Sequence, residues 1–359
     1  MAELVSLDEI GTAAGRLRGV AVRTPLAPFT GRAAAVARLL IKPESLQPTG
    51  AFKLRGAYNA VYAVTRGLDS CVLPDGVVAH SSGNHGFAVA YAARLLGISA
   101  AIVVPENAPA VKTDAIESTG AELVRVEPTL AARIAATDEI ARVRRYHPVA
   151  PFDDRDVIAG QGTVGLEIAE DFTAGPGQGT RPPSAVLVPV SGGGLISGIA
   201  VAVKALLPGT RVIGVEPELA ADARDSLRAG ARVAWTSAQT SRTRADALRV
   251  EQVGELTFPH IQAYVDDIVT VSDDEMLDAI RRLARQARLV AEPGGAAAVA
   301  AALCRGAAEL GISSATRAPG TVSAGTVSAG TVSAGTAPVV AVLSGGNIEP
   351  ALLADILRV

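Results

Sequence analysis

Three short apolar segments of this sequence each end in a turn of small residues, and this pattern constrains the fold more than any other feature. The segments and their turns are Val77–His80 before Ser-Ser-Gly-Asn-His-Gly, Val186–Val190 before Ser-Gly-Gly-Gly-Leu, and Val339–Leu343 before Ser-Gly-Gly-Asn. A helical pattern follows each turn, and such alternation is typical of a parallel β-sheet covered by helices. Ligands gather at the carboxyl ends of the strands in these sheets, so the three turns are predicted to meet at one ligand site.

Further elements fit the same alternation. Residues Ala101–Val104 and Val212–Val215 are apolar and are bounded by proline or glycine, which predicts two more strands. The stretch from Ala291 to Leu303 is mostly alanine and begins near a proline and two glycines. This composition predicts a packed helix rather than a lipid-facing one. The fold class predicted from these elements is α/β.

The balance of charges limits the partners of the protein. Lys and Arg number 33 and Asp and Glu 36, with no long basic run, so neither nucleic acid nor a membrane is an expected partner. A chain of 359 residues that is 49% hydrophobic can bury one large or two moderate cores. Cys71 and Cys304 have no metal-ligand spacing, and the first ten residues lack a signal-peptide pattern, so a cytoplasmic location is expected. An enzyme acting on small molecules fits this composition.

One segment departs from globular patterning. Residues 321–335 repeat the pentapeptide Thr-Val-Ser-Ala-Gly three times, between Pro319 and Pro338. A period of five matches neither a helix nor a known solenoid repeat, and such small side chains do not offset the entropy of ordering them. The segment is predicted to be a flexible insertion.

Lys53 is the candidate for covalent chemistry. It is one of four lysines, and it stands in Gln47–Ala57, a turn rich in proline and glycine that runs into a predicted helix. An amine partly withdrawn from water there would have a lowered pKa and could attack an aldehyde. Most lysines in proteins are surface charges, so the residue type alone does not decide the matter.

A glycine-rich turn is the candidate phosphate site. It consists of Ser191, Gly192, Gly193, Gly194 and Leu195, between a predicted strand and a predicted helix. Successive backbone N–H groups and the positive end of a helix dipole make such a turn suitable for a phosphate. Glycine-rich turns also serve close packing without a ligand, and a phosphate could belong to a nucleotide. The coincidence of this turn with Lys53 and with the other two turns selects pyridoxal 5'-phosphate as the cofactor.

In this order, the motifs resemble those of the serine/threonine dehydratase (threonine ammonia-lyase) family of fold-type II pyridoxal-phosphate enzymes, and the sequence is similar also to serine racemase. The resemblance covers nearly the whole chain. Besides the lysine segment and the three turns, it is carried by Arg23–Leu26, Pro151–Asp154, Val157–Thr163 and Val269–Glu275. It implies a tryptophan synthase β-like fold of two open twisted sheets flanked by helices. A large cofactor-binding domain of residues 1–70 and 151–359 and a small domain of residues 71–150 would enclose the cofactor, and a homodimer is expected.

The resemblance also implies a role for each site residue. Lys53 would hold the cofactor covalently and later remove the Cα proton of the substrate, while Phe52 would lie against the ring. Asn84 would bind the phenolic oxygen, and Ser344 would face the pyridine nitrogen. A serine hydroxyl does not keep that nitrogen protonated as an aspartate would, which favours loss of a β-leaving group over transamination. The substrate carboxylate would be bound by Ser81, Ser82, Gly83, Asn84 and His85.

Some of these residues also have a simpler structural interpretation. Ser82 and Asn84 belong to the residue types that are favoured at helix N-caps. Ser344 could complete a glycine turn after a strand. Their positions within the family motifs favour the functional roles.

A divalent-cation site is the second implication of the resemblance. Glu216, Ala220 and Asp222 match, by their spacing, the cation site of serine racemase-like members. Two carboxylates and a backbone carbonyl are oxygen ligands suited to Mg²⁺ or Ca²⁺. The same residues could equally be solvated charges on a loop.

The predicted function is elimination of water and then ammonia from L-threonine or L-serine, giving 2-oxobutyrate or pyruvate. Two alternatives stay open: a serine or aspartate racemase, in which Ser82 would be the acid on the ring face opposite Lys53, and a non-catalytic protein that binds pyridoxal phosphate. Arg244 and Ala247 stand where many family members have an apolar residue and a glycine, so the substrate preference is open. Phe87 replaces the usual glutamine, which argues against activation by a nucleotide.

Overall fold

The computed structural model describes residues 3–30, 35–36, 38–66, 73–174, 181–312 and 337–358. The repeat at 321–335 and Cys71 lie outside the described residues. No described helix is both long and apolar enough to cross a membrane.

The described strands form two sheets. In chain order they are β1 Ala27–Pro28, β2 Leu39–Pro43, β3 Gly76–His80, β4 Ser99–Pro105, β5 Glu122–Val126, β6 Tyr146–Pro148, β7 Ala185–Pro189, β8 Arg211–Pro217, β9 Asp267–Val271 and β10 Val339–Leu343. One sheet has the order β1-β2-β10-β7-β8-β9, and the other has the order β5-β4-β3-β6. Apart from the antiparallel pair of β1 and β2, neighbouring described strands are parallel. The prediction of an α/β fold with two sheets is confirmed, and the five predicted strands are β3, β4, β7, β8 and β10.

Helices connect the parallel strands and cover the sheets. In chain order they are α1 Leu7–Arg16, α2 Lys53–Arg66, α3 Asn84–Leu96, α4 Ala110–Glu117, α5 Leu130–Arg144, α6 Arg155–Thr173, α7 Gly194–Leu206, α8 Asp222–Ala229, α9 Ser237–Thr240, α10 Thr257–Tyr264, α11 Asp273–Arg282, α12 Pro293–Cys304 and α13 Pro350–Arg358. A short 3-10 turn at Asp246–Leu248 lies between α9 and α10. Helix α6 packs against both α2 and α7, and therefore connects the lysine segment with the glycine-rich turn.

Local sequence signals set the helix ends. Ser272 accepts a hydrogen bond from the backbone N–H of Glu275, and the Glu275 carboxylate accepts one from the backbone of Ser272, which completes a capping box at the start of α11. Gly97 ends α3 in the left-handed conformation, with φ of 70°. The family motif Val269–Glu275 is therefore, in physical terms, a strand followed by a helix start.

Helix α12 is buried along nearly its whole length. Every residue from Pro293 to Leu303 is buried, and the helix packs on β7 and β10. Alanine side chains are small enough to let a helix lie close to a sheet without leaving cavities. The prediction of a packed helix at 291–303 is confirmed.

A buried cluster of charges holds the start of α2. Arg55, which is 1% exposed, donates to Glu44 at 2.7 Å and to Glu167 at 2.7 Å, and Lys42 donates to Glu167 at 2.6 Å. Burial alone would raise the pKa of Glu44, but the nearby charges of Arg55 and Lys42 hold it below its usual value. Both carboxylates of the cluster are thus paired, as buried charges must be.

The two sheets come from different parts of the chain. The four-stranded sheet lies within residues 76–148, whereas the six-stranded sheet takes its strands from before and after that range. The division into a large domain of residues 1–70 and 151–359 and a small domain of residues 71–150 stays a prediction.

Candidate active site

A cavity of about 1000 Å³ lies where elements of the two sheets meet. Every residue that the sequence analysis assigned to the cofactor or to the substrate lines it: Phe52, Lys53, Ser81, Ser82, Gly83, Asn84, His85, Ser191, Gly192, Gly193, Gly194, Leu195 and Ser344. The three small-residue turns and the lysine segment therefore meet at one place, as expected for the carboxyl ends of parallel strands.

Lys53 is the first residue of α2 and points its amine into this cavity. Nζ donates a hydrogen bond to the backbone carbonyl of Pro151 at 2.5 Å, and it lies 5.2 Å from the centroid of the Phe52 ring. Burial lowers the pKa of Lys53 to about 8, because the ammonium form loses water without gaining a carboxylate. A lysine with this pKa supplies more neutral amine at physiological pH than an ordinary lysine does.

Ser344 lies beside the lysine segment because of backbone pairing. The N–H of Phe52 donates to the carbonyl of Ser344 at 3.0 Å, and Ala51 forms an antiparallel bridge with Gly345. The end of β10 and the start of α2 are thus joined, although they are far apart in the chain. Ser344 is 6% exposed and borders the cavity.

The glycine-rich turn has the conformation of an anion-binding site. Gly193 has a φ of 94°, and a Cβ on Gly192 would lie 2.3 Å from the ring of Phe152. Helix α7 begins at Gly194, so its first-turn N–H groups have no partners within the helix. The hydroxyl of Ser191 is buried and has no hydrogen-bond partner among the described residues. A phosphate would satisfy both the hydroxyl and the amides, so these residues fit that group.

A second layer of contacts fixes the glycine-rich turn. The hydroxyl of Thr257 donates to the carbonyl of Gly192 at 2.6 Å. The Asp153 carboxylate accepts from the backbone N–H groups of Leu256 at 2.8 Å and Glu255 at 2.9 Å, and so holds the segment that leads into α10. Sequence reasoning placed Asp153 in a family motif but assigned it no role, and it missed Thr257.

The asparagine loop leads directly into α3. The N-cap of this helix is Gly83, without a side-chain hydrogen bond, so neither Ser82 nor Asn84 acts as the cap. Instead, Nδ2 of Asn84 donates to Oε1 of Glu292 at 2.6 Å, and Oδ1 accepts from Nδ2 of Asn347 at 2.7 Å. The Asn84 side chain is therefore held from both ends of its amide.

His85 holds the other side of this loop. It is 5% exposed, and Nε2 lies 2.9 Å from the carbonyl oxygen of Val149. A carbonyl only accepts, so Nε2 carries the hydrogen. Burial, and then the charge of Lys53, lower the pKa of His85 to about 3, so the imidazole is neutral.

Glu292 borders the cavity and was not predicted as a site residue. It is the N-cap of α12 and is 6% exposed. Burial, and then the charge of Asp246, raise the pKa of Glu292 to about 7, while the hydrogen bond from Asn84 and the charge of Lys112 act in the opposite direction. The available signal was a single carboxylate at the head of an otherwise apolar helix.

The rim of the cavity is charged. Lys112 of α4 donates to Asp246 at 2.7 Å, so one ion pair joins elements that belong to the two sheets. Asp246 and Ala247 line the cavity, whereas Arg244, which the sequence analysis placed near the site, is exposed and outside its lining.

The three predicted cation ligands lie together, outside the cavity lining. The two oxygens of Glu216 accept from the backbone N–H groups of Ala223 at 3.0 Å and Arg224 at 2.8 Å, while Oδ2 of Asp222 is buried without a partner in the described structure. Burial, and then the charge of Asp222, raise the pKa of Glu216 well above its usual value, and burial raises that of Asp222 to about 7. A cation would compensate both carboxylates, so the residues fit one. Among the described residues, no three His, Cys, Asp or Glu side chains gather as a metal site.

The family model described as "Pyridoxal-phosphate dependent enzyme" matches residues 17–316. The chain therefore belongs to the family of pyridoxal-phosphate dependent enzymes, as the sequence motifs indicated. Its two sheets are those of the fold-type II members of that group.

Similar proteins narrow the family to ammonia-lyases and racemases. The chain is 40% identical over 269 residues to an L-threo-3-hydroxyaspartate ammonia-lyase of Saccharomyces cerevisiae, across 75% of this chain and 78% of that protein. It is 38% identical over 298 residues to a serine racemase of Oryza sativa subsp. indica, across 83% of each. The solved structure of a T.th. threonine deaminase superimposes with a TM-score of 0.80 at 39% identity, and the match covers 96% of this chain and 99% of that one. The protein is thus an enzyme of this group.

Proposed function

We propose that the protein is a threonine or serine ammonia-lyase, which releases 2-oxobutyrate from L-threonine or pyruvate from L-serine, with ammonia. The observation that carries the proposal is the meeting of Lys53, the glycine-rich turn and the asparagine loop in one cavity. When bound, pyridoxal phosphate supplies the electron sink that makes the Cα proton of an amino acid removable.

The chain's own residues would divide the work as follows. Ser191–Leu195 would hold the phosphate through backbone N–H groups and the partnerless hydroxyl of Ser191. Lys53 would hold the cofactor covalently and then serve as the base at Cα, for which its lowered pKa suits it. Ser344, a neutral hydroxyl, would face the pyridine nitrogen. It would not maintain a positive charge there, and this favours departure of the β-substituent.

The substrate carboxylate would lie at the start of α3. Backbone N–H groups of the first turn and the hydroxyls of Ser81 and Ser82 are donors for an anion at that position. His85 would keep the loop in place, because its single ring hydrogen at Nε2 is used by the carbonyl of Val149.

A racemase is the second candidate, since Ser82 lines the same cavity as Lys53. Racemisation needs a second proton carrier on the opposite face of Cα, and Ser82 would be that group. Serine racemases stand among the similar proteins beside the ammonia-lyases. Product analysis separates the two activities, since the lyase yields keto acid and ammonium and the racemase yields the D-amino acid.

The test uses the purified protein with pyridoxal phosphate and a panel of β-hydroxy amino acids. Keto-acid release from L-threonine or L-serine is expected, and Lys53→Ala should lower it by roughly 10²–10⁴-fold, because no base remains at Cα. Lys204→Ala is the control, since Lys204 pairs with Asp266 away from the cavity. Borohydride should fix the cofactor on the peptide that contains Lys53. Normal turnover by Lys53→Ala, or reduction onto another lysine, would overturn the proposal.

We also propose that Glu216, Asp222 and the carbonyl of Ala220 bind Mg²⁺ or Ca²⁺. The buried, unpartnered oxygen of Asp222 supports this proposal, as does the repulsion between the two carboxylates. The site would be structural, because its residues do not line the cavity. The expected homodimer and cytoplasmic location stay predictions.

A further inference from the structure

A directed series of hydrogen bonds runs along one wall of the cavity. Nδ2 of Asn347 donates to the backbone carbonyl of Thr49 at 2.8 Å and to Oδ1 of Asn84 at 2.7 Å. Nδ2 of Asn84 then donates to Oε1 of Glu292 at 2.6 Å. We refer to Thr49, Asn347, Asn84 and Glu292 as the amide relay.

The direction of the amide relay is set at its first member. The carbonyl of Thr49 only accepts, so the group of Asn347 that faces it must be the amino group. The second hydrogen of that group goes to Asn84, which must present its oxygen there and its amino group to Glu292. Neither amide can be reversed without placing two donors or two acceptors face to face.

Two glycines leave room for the amide relay. A Cβ on Gly50 would lie 2.2 Å from Oδ1 of Asn347, and a Cβ on Gly345 would lie 2.2 Å from Oε1 of Glu292. Gly50 also has a φ of 71°, which other residues adopt only with strain. The glycines of the lysine segment and of the last turn thus have a role in the relay as well as in the turns.

The last member of the relay is the one whose charge can change. Glu292 is 6% exposed, and the groups that act on its carboxyl are Asp246, Lys112 and Asn84. Asn84 has two hydrogens on Nδ2, and the bond to Glu292 uses one of them. The other is left for a group inside the cavity.

We propose that Glu292 is a positioning residue, which holds one N–H of Asn84 so that the second N–H is presented to the phenolic oxygen of the cofactor. This inference rests on the proposed function, in which Asn84 faces that oxygen. Glu292 itself need not touch the cofactor, because it acts through Asn84.

The inference gives the bound cofactor a dependence on the charge of Glu292. A carboxylate is a stronger acceptor than a carboxylic acid, whose own O–H would compete for a partner. Because burial raises the pKa of Glu292 to about 7, the relay should weaken as the pH falls through that value. The visible absorption of the bound cofactor should report this transition.

The experiment compares Glu292→Leu and Glu292→Gln with the matched control Glu349→Gln, an exposed glutamate that also lines the cavity. Pyridoxal-phosphate affinity is measured by titration, and the visible spectrum is followed from pH 6 to 9. Glu292→Leu should weaken affinity about tenfold, the equivalent of one hydrogen bond to a charged group, and should lose the transition near pH 7. Glu292→Gln keeps an acceptor oxygen, so it should restore most of the affinity but not the transition.

The outcomes separate the inference from the proposed function. If Glu292→Gln retained the wild-type transition near pH 7, or if Glu292→Leu bound the cofactor as Glu349→Gln does, the positioning role would be wrong. Should Glu292→Leu fail to fold, the pH dependence of Glu292→Gln still decides. If the wild type did not bind the cofactor through Lys53 at all, the proposed function would fail instead.

Discussion

At the scale of single residues, the environment of Lys53 differs from that of the other lysines. Those are each paired with a carboxylate, in the pairs Lys42–Glu167, Lys112–Asp246 and Lys204–Asp266. Lys53 has the backbone carbonyl of Pro151 as its partner, so burial acts on its charge without compensation. This arrangement favours the neutral amine, which is the form that attacks a carbonyl.

The pH dependence of cofactor capture follows from that pKa. The pKa of Lys53 is lowered from 10.5 to about 8, so the fraction of neutral amine rises with pH and is nearly complete just above pH 8. The rate at which cofactor-free protein captures pyridoxal phosphate should rise from pH 6 and level off above about 8. Stopped-flow absorption across pH 6 to 10 measures this. A rate that kept rising through pH 10 would indicate an ordinary lysine.

Residue identity could be predicted where the chemistry is carried by a local motif. Lys53, Ser191 and Ser344 each stand in a segment whose residue types alone suggest a turn and a ligand. Glu292 could not be found in that way, because its partner Asn84 is 208 residues away and only the fold brings them together. A buried carboxylate has no sequence pattern of its own.

At the scale of secondary structure, the position of α2 depends on the charges beneath it. Arg55 is two residues from Lys53 and joins Glu44 of the segment after β2 to Glu167 of α6. The strand-to-helix alternation predicted these elements, but the pairing between them follows from packing. The sequence could not indicate which of its many arginines is buried.

Removal of Arg55 should therefore be costly. Arg55→Leu would leave the buried Glu44 without its cation and should destabilise the protein by about 3–5 kcal/mol, because an uncompensated buried charge remains. Urea unfolding of the variant and the wild type measures the difference. Arg142→Leu is the control, since the Arg142–Glu139 pair is exposed, and it should unfold as the wild type does. Equal midpoints for all three proteins would show that the buried cluster does not hold α2.

The start of α8 provides a test of the proposed cation site. Mg²⁺ or Ca²⁺ that binds the folded state alone should raise the melting temperature of the wild type, and a chelator should lower it. Glu216→Gln and Asp222→Asn should lose this response, while Glu218→Gln, an exposed neighbour, should keep it. A wild-type melting temperature that ignores both cation and chelator would remove the basis for the site.

At the scale of the whole molecule, the two sheets contribute different parts of one cavity. The six-stranded sheet supplies Ser344, the glycine-rich turn and the cation ligands, and the four-stranded sheet supplies the asparagine loop. Alternation in the sequence predicted the class of fold and the edge at which ligands bind. It did not predict which strands share a sheet, since strand order depends on contacts between distant segments such as β2 and β10.

The last prediction concerns the repeat at 321–335, which lies outside the described residues. The chain on its C-terminal side is fixed by its own contacts, because Ser184 donates to the carbonyl of Pro338 at 2.8 Å and Val339 to that of Arg38 at 2.8 Å. On the N-terminal side, Leu310 is 1% exposed and packs in the core. Neither anchor draws on the pentapeptides, whose small side chains offer little apolar area to bury.

Deletion of residues 321–335 should therefore leave the urea midpoint and the rate of keto-acid release unchanged within error. Residues 313–320 and 336 would still connect the two anchors, and a shorter connection costs less loop-closure entropy than a longer one. Deletion of helix α12, whose side chains are buried, is the contrasting case and should abolish folding. If the repeat deletion also abolished folding or activity, the pentapeptides would have to contribute packing or catalytic contacts, and the prediction of a dispensable insertion would be wrong.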